Sequence, residues 1–152
     1  MTAQTDVDAA HTTAAQQRRA EAAADLAEHS MYELLGGESG LRALSDRFYD
    51  LMESDETLAP VRAMHQRDLA PMRLSLFEFL SGWVGGPPLY VQRHGSPCLT
   101  EAHAPFVIGT EARDLWVRCI EQAMLDVGVP EKYRELLLPA MAGMAEMMRN
   151  AD

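Results

Sequence analysis

His103 is the residue whose surroundings most invite chemistry. It lies in the stretch from Leu89 to Ile108, where Gly95, Pro97 and Pro105 rule out one long helix. An irregular connection of that length between helical stretches usually marks a functional loop. Leu99 stands four residues before His103 and Phe106 three after it. An imidazole with apolar cover on both sides can present a ring nitrogen to a metal or a haem iron. It can equally be a hydrogen-bonded structural residue, and spacing alone leaves both open. Tyr49 and Trp116 sit on helical stripes, where an aromatic side chain is ordinarily core with its polar atom bonded to backbone. Standard catalytic signatures do not occur: there is no GxSxG, P-loop, HExxH, EF-hand loop or GxGxxG. Cys98 and Cys119 lie far from any CxxC or Cys/His cluster, which reads as two free thiols in a reducing cytoplasm.

The elements that position these residues follow from punctuation and period. Ser30-Met31-Tyr32-Glu33 is a capping box, so a short helix starts there and stops at Gly36-Gly37. After the turn through Gly40, the apolar residues Leu41, Leu44, Phe48, Leu51 and Met52 recur at spacings of three and four, the stripe of a core-facing helix. Asp55 to Met64, with Pro60, predicts short turns or loop. Leu69, Met72, Leu76, Phe79, Leu80 and Trp83 form another stripe that stops at Gly85-Gly86-Pro87-Pro88, and Gly36, Gly37, Gly85 and Gly86 all read as helix stops. Thr110 is expected to cap a fourth helix carrying Leu115, Trp116, Cys119, Ile120, Ala123 and Met124. Pro130 opens the last one, with Tyr133, Leu136, Leu137, Met141, Met144, Ala145 and Met148 on its apolar face and a kink expected at Pro139. No alternating run argues for a strand, so the domain is all-α.

Residues 1–29 form an Ala- and Gln-rich extension whose only larger aliphatic residues are Val7 and Leu26, so it is expected to add nothing to a core. Ala14 to Glu28 has good helix propensity, but a lone helix of that length is marginal in water, which predicts a partly helical extension ahead of a domain over 30–152. At 152 residues with 13 Lys+Arg against 23 Asp+Glu, a formal charge of -10, the chain is one acidic domain. That balance argues against nucleic acid and anionic lipid as partners. No apolar run approaches the roughly 18 residues of a membrane span, and the first 15 residues do not read as an export signal, so a cytoplasmic protein is expected.

The motifs, taken together, resemble the group II truncated haemoglobins. The resemblance covers about Met31 to Asn150. It is carried by Tyr32-Glu33-Leu34-Leu35-Gly36-Gly37, Asp46-Arg47-Phe48-Tyr49, Met64-His65, Phe79-Leu80-Ser81-Gly82-Trp83-Val84-Gly85-Gly86-Pro87, His103-Ala104-Pro105-Phe106 and Arg113-Asp114-Leu115-Trp116. The resemblance implies a truncated globin, two helices over two around haem b. It implies His103 as the proximal ligand to iron and Tyr49, His65 and Trp116 as the distal polar set. Phe48, Met72, Leu76, Phe79, Leu80, Tyr90, Leu99, Phe106 and Ile108 fall where it would place contacts to haem.

A dioxygen ligand on iron carries partial negative charge, so a phenol, an indole N–H and an imidazole can each donate to it. One such donor is worth about 1.5 to 3 kcal/mol, or about ten- to a hundredfold slower release. By resemblance the function is binding of oxygen, nitric oxide or another small ligand, with tight binding favoured over oxygen transport, and with nitric oxide or peroxide chemistry open. Any redox cycle needs a separate reductase, because the chain has no flavin or nicotinamide motif. The resemblance also allows a homodimer.

The chain departs from the family pattern beside its proximal histidine. Where members carry a His before Pro97 and several Arg leading to the proximal residue, it has Ser96, Cys98, Thr100, Glu101 and Ala102. Those arginines pair with haem propionates, and Arg suits bidentate carboxylate binding, so their loss should weaken haem retention unless Tyr90, Arg93 or His94 takes over. Cys98 adds an oxidisable thiol near the haem position. The same departure motivates the alternative of a globin-fold interaction or sensor module that has lost haem.

Overall fold

The computed structural model describes residues 2–96 and 98–152, with side chains from Thr13 onward; Pro97 and the side chain of Val7 lie outside the described residues. Its helices in chain order are α1 Thr2–Glu28, α2 Met31–Leu34, α3 Gly37–Ser54, α4 Ala59–Arg62 after a 3-10 turn at Glu56–Leu58, α5 Ala70–Trp83, α6 Leu89–His94, α7 Leu99–His103, α8 Thr110–Asp126 and α9 Glu131–Met148. No strand occurs among the described residues, and no helix is long and apolar enough to cross a membrane. Most of the stripes read from sequence become the core, but on α5 the buried side chains are Phe77, Glu78, Leu80 and Ser81, while Met72, Leu76, Phe79 and Trp83 are only partly buried. α3 packs on both α5 and α8, and α8 packs on α9, which makes two antiparallel-type pairs stacked as two over two. Leu41, Leu44, Phe48 and Met52 of α3 meet Phe77 and Leu80 of α5, Ile120, Ala123 and Met124 of α8, and Leu137 and Met141 of α9 in one continuous cluster. Two buried hydroxyls inside it are satisfied by backbone: Ser45 Oγ donates to Arg73 O at 2.6 Å and Ser81 Oγ to Pro87 O at 2.7 Å.

Several helix ends differ from the sequence reading, each for a local reason. Ser30 does cap α2 by accepting from the Glu33 N–H at 3.2 Å, but the Glu33 carboxylate turns to His29 Nδ1 at 3.0 Å, so the box is closed on one side only. α3 begins at Gly37 rather than after Gly40. A Cβ at Gly40 would sit 1.9 Å from Leu35 O, so this glycine serves the contact between α2 and α3. Thr110 is the first residue of α8, its N-cap is Gly109, and no side chain caps it. α9 runs through Pro139 without a break in its assignment. Leu136 is exposed, while Tyr133, Leu137, Met141 and Ala145 form the buried face. The irregular stretch after α5 holds two short helices, α6 and α7, that bury no side chain of their own.

The N-terminal extension is a single helix over 27 residues, and it does enter the core. Ala22 is fully buried against α9. A methyl group suffices there because the two helices approach closely. Around it, Arg18 pairs with Glu135 at 2.8 Å, Lys132 with Asp25 at 2.6 Å, and the Tyr133 hydroxyl donates to Asp25 at 2.5 Å. The bonds from Lys132 and then Tyr133 hold the Asp25 carboxyl below its ordinary value. The tertiary partner that an isolated helix needs is therefore α9.

Gly85 and Gly86 divide the labour at the end of α5. Gly85 has φ +90°, a left-handed turn that favours glycine. Gly86 is a glycine for space: a Cβ there would lie 2.2 Å from the ring of Tyr32, a residue whose backbone N–H donates to Val84 O at 3.0 Å. Gly86→Ala should therefore destabilise the domain by about 1 to 3 kcal/mol, an overpacking cost, as read from urea midpoints. An unchanged midpoint would show that Tyr32 moves aside freely.

Candidate functional site

Four side chains singled out from sequence meet at the junction of α3, α4 and α8. Phe48 and Tyr49 on α3 contact edge to face with ring centroids 4.9 Å apart. The Phe48 ring lies 5.6 Å from that of Trp116 on α8, and the Tyr49 ring lies 5.8 Å from His65, just beyond α4. Phe48 is fully buried and Tyr49 is 6% exposed. Burial, with the nearby Cys119 thiol second, pushes the Tyr49 phenol well above its ordinary pKa, so it stays a neutral donor. The Tyr49 hydroxyl and the Trp116 indole N–H have no hydrogen-bond partner among the described residues. Neither is a fully buried atom without a partner, so both donors are reached by water or by a bound ligand. Behind them, the Cys119 thiol donates to Phe48 O at 3.3 Å and is pushed up by burial to about 12, which leaves it inert.

His65 and His103 share one local arrangement. His65 Nδ1 lies 2.9 Å from Val61 O, and His103 Nδ1 lies 2.6 Å from Leu99 O. A backbone carbonyl only accepts, so both neutral imidazoles carry their proton on Nδ1 and leave Nε2 as a lone pair. This second contact also settles the tautomer that a metal-ligating histidine requires. Leu99, read in sequence as apolar cover, contributes its carbonyl as well. Burial foremost lowers the His65 pKa, the bond to Val61 opposes, and the charges of Arg62 and His103 lower it further. The sign for stability follows. Since the folded value lies below the unfolded one near 6.5, the unfolded chain takes up a proton first, and stability falls as pH drops below about 6.5. In the haem-free protein, His65→Gln should flatten this part of the stability curve measured by denaturant at pH 5 to 8; an identical slope would remove His65 as its source.

The remaining expected contacts fall into two groups. Met72, Leu76, Phe79, Tyr90 and Leu99 are only partly buried, as are His103 and Trp116, and Phe106 is 40% exposed. Leu80 and Ile108 are buried. A set of large apolar side chains left half covered between helices is a surface that another apolar body completes. At its far edge Phe79 meets Tyr90 edge to face at 6.2 Å, and Tyr90 lies 4.6 Å from the His94 ring. Elsewhere a groove of about 510 Å³ between α8 and α9, open to solvent, is lined by Arg113, Asp114, Val117, Arg118, Glu121, Ala142 and Glu146.

Glu78 is a residue the sequence reading passed over. It is 4% exposed on α5, and Arg93 of α6 approaches its Oε1 to 3.2 Å off the hydrogen-bond axis, so that oxygen is buried without a hydrogen bond. A carboxylate set between Phe77 and Phe79 was the available signal. The pairing ties α6 to α5, and it engages Arg93, one of the side chains considered for the missing arginines.

Half-covered apolar side chains, one histidine with a fixed tautomer and a free Nε2, and two donors without a partner among the described residues are groups that a globin site uses. The chain matches the bacterial-like globin family over residues 30–150 and belongs to it. Within that family it stands with the group II truncated haemoglobins: it is 37% identical to the group 2 truncated hemoglobin YjbI of Bacillus subtilis over 119 residues, 78% of this chain and 87% of the relative. Among solved structures it is similar to the cold-adapted truncated hemoglobin of Pseudoalteromonas haloplanktis TAC125, at 40% identity and TM-score 0.79, covering 82% of this chain and 100% of that one. It is also similar to the truncated oxygen-avid haemoglobin of Bacillus subtilis, at 36% identity and TM-score 0.73, covering 80% of this chain and 100% of that one. Globin membership implies haem binding.

Proposed function

We propose that the protein binds haem b in the cleft bounded by α3, α5, α7 and α8 and holds oxygen or a similar diatomic ligand tightly there. The observation that carries this is the cluster of Phe48, Tyr49, Trp116 and His65, in which the Tyr49 and Trp116 donors have no partner among the described residues. A bound haem supplies an iron that takes a diatomic ligand and can exchange electrons with it. His103 would hold the haem iron through Nε2, and the Leu99 carbonyl fixes its ring and raises its basicity. Tyr49 and Trp116 donate to a ligand that draws electron density. His65, whose proton is on Nδ1, acts as the third donor only when protonated; neutral, its Nε2 accepts, which suits it to orient the Tyr49 hydroxyl or a water. Met72, Leu76, Phe79, Leu99 and Phe106 cover the apolar faces, over the buried Phe48, Leu80 and Ile108. With Arg93 engaged by Glu78, Tyr90 and His94, whose rings lie 4.6 Å apart, are the groups left for the propionate end.

Tight holding suits reaction with nitric oxide or peroxide, or sensing, more than oxygen transport. Turnover then draws electrons from a separate reductase in the cytoplasm. The similarity to an oxygen-avid haemoglobin supports the tight-binding reading. Mixing the oxygenated protein with nitric oxide and measuring nitrate tests the chemistry. Stoichiometric nitrate formed faster than oxygen dissociates supports it, and reaction limited by oxygen release would leave storage or sensing as the role.

A further inference from the structure

We propose that Asn150 is a positioning residue for the proximal histidine, holding His103 from the far end of the chain; this rests on His103 being the axial ligand. The side-chain amide of Asn150 brackets the backbone just past α7. Its Oδ1 accepts from the Ile108 N–H at 2.8 Å and its Nδ2 donates to Phe106 O at 2.7 Å. Because one partner can only donate and the other only accept, the orientation of the amide is fixed. The backbone completes the clasp: Asn150 and Ala151 N–H both donate to Ile108 O, at 2.9 and 3.1 Å. The tail then runs so close to Gly109 that a Cβ there would lie 2.6 Å from Asp152 O.

What makes this clasp consequential is how little else secures α7. The helix is five residues long and buries no side chain, so hydrophobic burial does not fix its position. Its packing partner is α9, the helix that delivers Asn150. Peptide groups link the clasp to the imidazole in series: Asn150 Nδ2 donates to Phe106 O, Phe106 N to His103 O at 3.0 Å, and His103 Nδ1 is held by Leu99 O at 2.6 Å. The clasp sets the height and tilt of the ring that must meet the iron, and such support of a ligating side chain tunes the strength of its bond.

The iron–histidine stretching band of the five-coordinate ferrous protein, read by resonance Raman, tests this together with amide exchange of residues 99–108 in the haem-free chain. Asn150→Ala should shift or broaden the band and speed exchange at Phe106 and Ile108 by about tenfold or more. Asn150→Asp, which keeps the acceptor but sets an oxygen against Phe106 O, should do the same if the alanine variant folds poorly. Arg18→Gln, which removes the α1–α9 ion pair with Glu135 fifteen residues before Asn150, should not move the band. A wild-type band retained unchanged in both Asn150 variants overturns the proposal and leaves the haem reading intact. A wild type with no such band overturns both.

Discussion

Tyr49→Phe should release oxygen from the reduced haem protein about ten- to a hundredfold faster than wild type, the value of one donor to a partly charged acceptor. Trp116→Phe should act in the same direction and on the same scale. The double variant should fall short of the product, since Phe48 touches both rings and neighbours in contact are rarely additive. Stopped-flow displacement of oxygen by carbon monoxide measures all three. The same substitution carries an internal control. In the haem-free protein the Tyr49 hydroxyl has no partner, so Tyr49→Phe should leave stability unchanged or raise it. A residue that costs nothing to the fold and slows ligand release is there for the ligand. Release rates within twofold of wild type for both single variants would contradict the donor assignment.

His103→Ala should lose haem by a larger margin, at least about a hundredfold in haem affinity, equivalent to about 3 kcal/mol. His103 is half-buried at the end of a helix that buries nothing, so the alanine leaves no core cavity and the haem-free domain should melt as wild type does. Added imidazole should restore the axial bond in His103→Gly. Transfer of haem to excess apomyoglobin gives the rate. Equal retention by His103→Ala and wild type would move the axial bond to another residue.

The contrast between what was legible in the sequence and what was not runs along range of interaction. The stripes of α3, α5, α8 and α9 are periodic and local, so they predicted the helices and most of the core face of α3, α8 and α9, whereas on α5 Phe77 is buried and Met72, Leu76, Phe79 and Trp83 are only partly so. The aromatic pair Phe48-Tyr49, Trp116 and the two histidines were identified through motifs. That His103 and His65 carry their proton on Nδ1 was implicit in Leu99 and Val61 four residues earlier, the helical spacing at which a side chain reaches a backbone carbonyl. Other features depend on pairings that no local pattern encodes. Ala22 looked too small to matter, yet a methyl group is what the approach of α1 to α9 admits. Gly86 looked like punctuation, and its use is the Tyr32 ring some fifty residues back in the chain, as distances show. Thr110 had the right side chain for a cap, but α8 starts one residue early because the tail pairs with Ile108 immediately before Gly109. Asn150, separated by 42 and 44 residues from the atoms it bonds, carried no signal at all. The missing arginines were plain in sequence, whereas the engagement of Arg93 by the buried Glu78 needed the packing of α6 on α5.

The most direct test of the account is the visible absorption spectrum of the purified protein, as isolated and after incubation with haemin, in ferric, dithionite-reduced and CO-bound forms. A haem spectrum with a Soret band that shifts on CO binding, and that His103→Ala disrupts, is the result predicted by an axial Nε2 facing an apolar cleft with two unpaired donors. A chain that stays colourless with haemin, and whose melting point haemin does not raise although a ligand of the folded state must raise it, would contradict the haem site and leave the globin fold serving a protein partner instead.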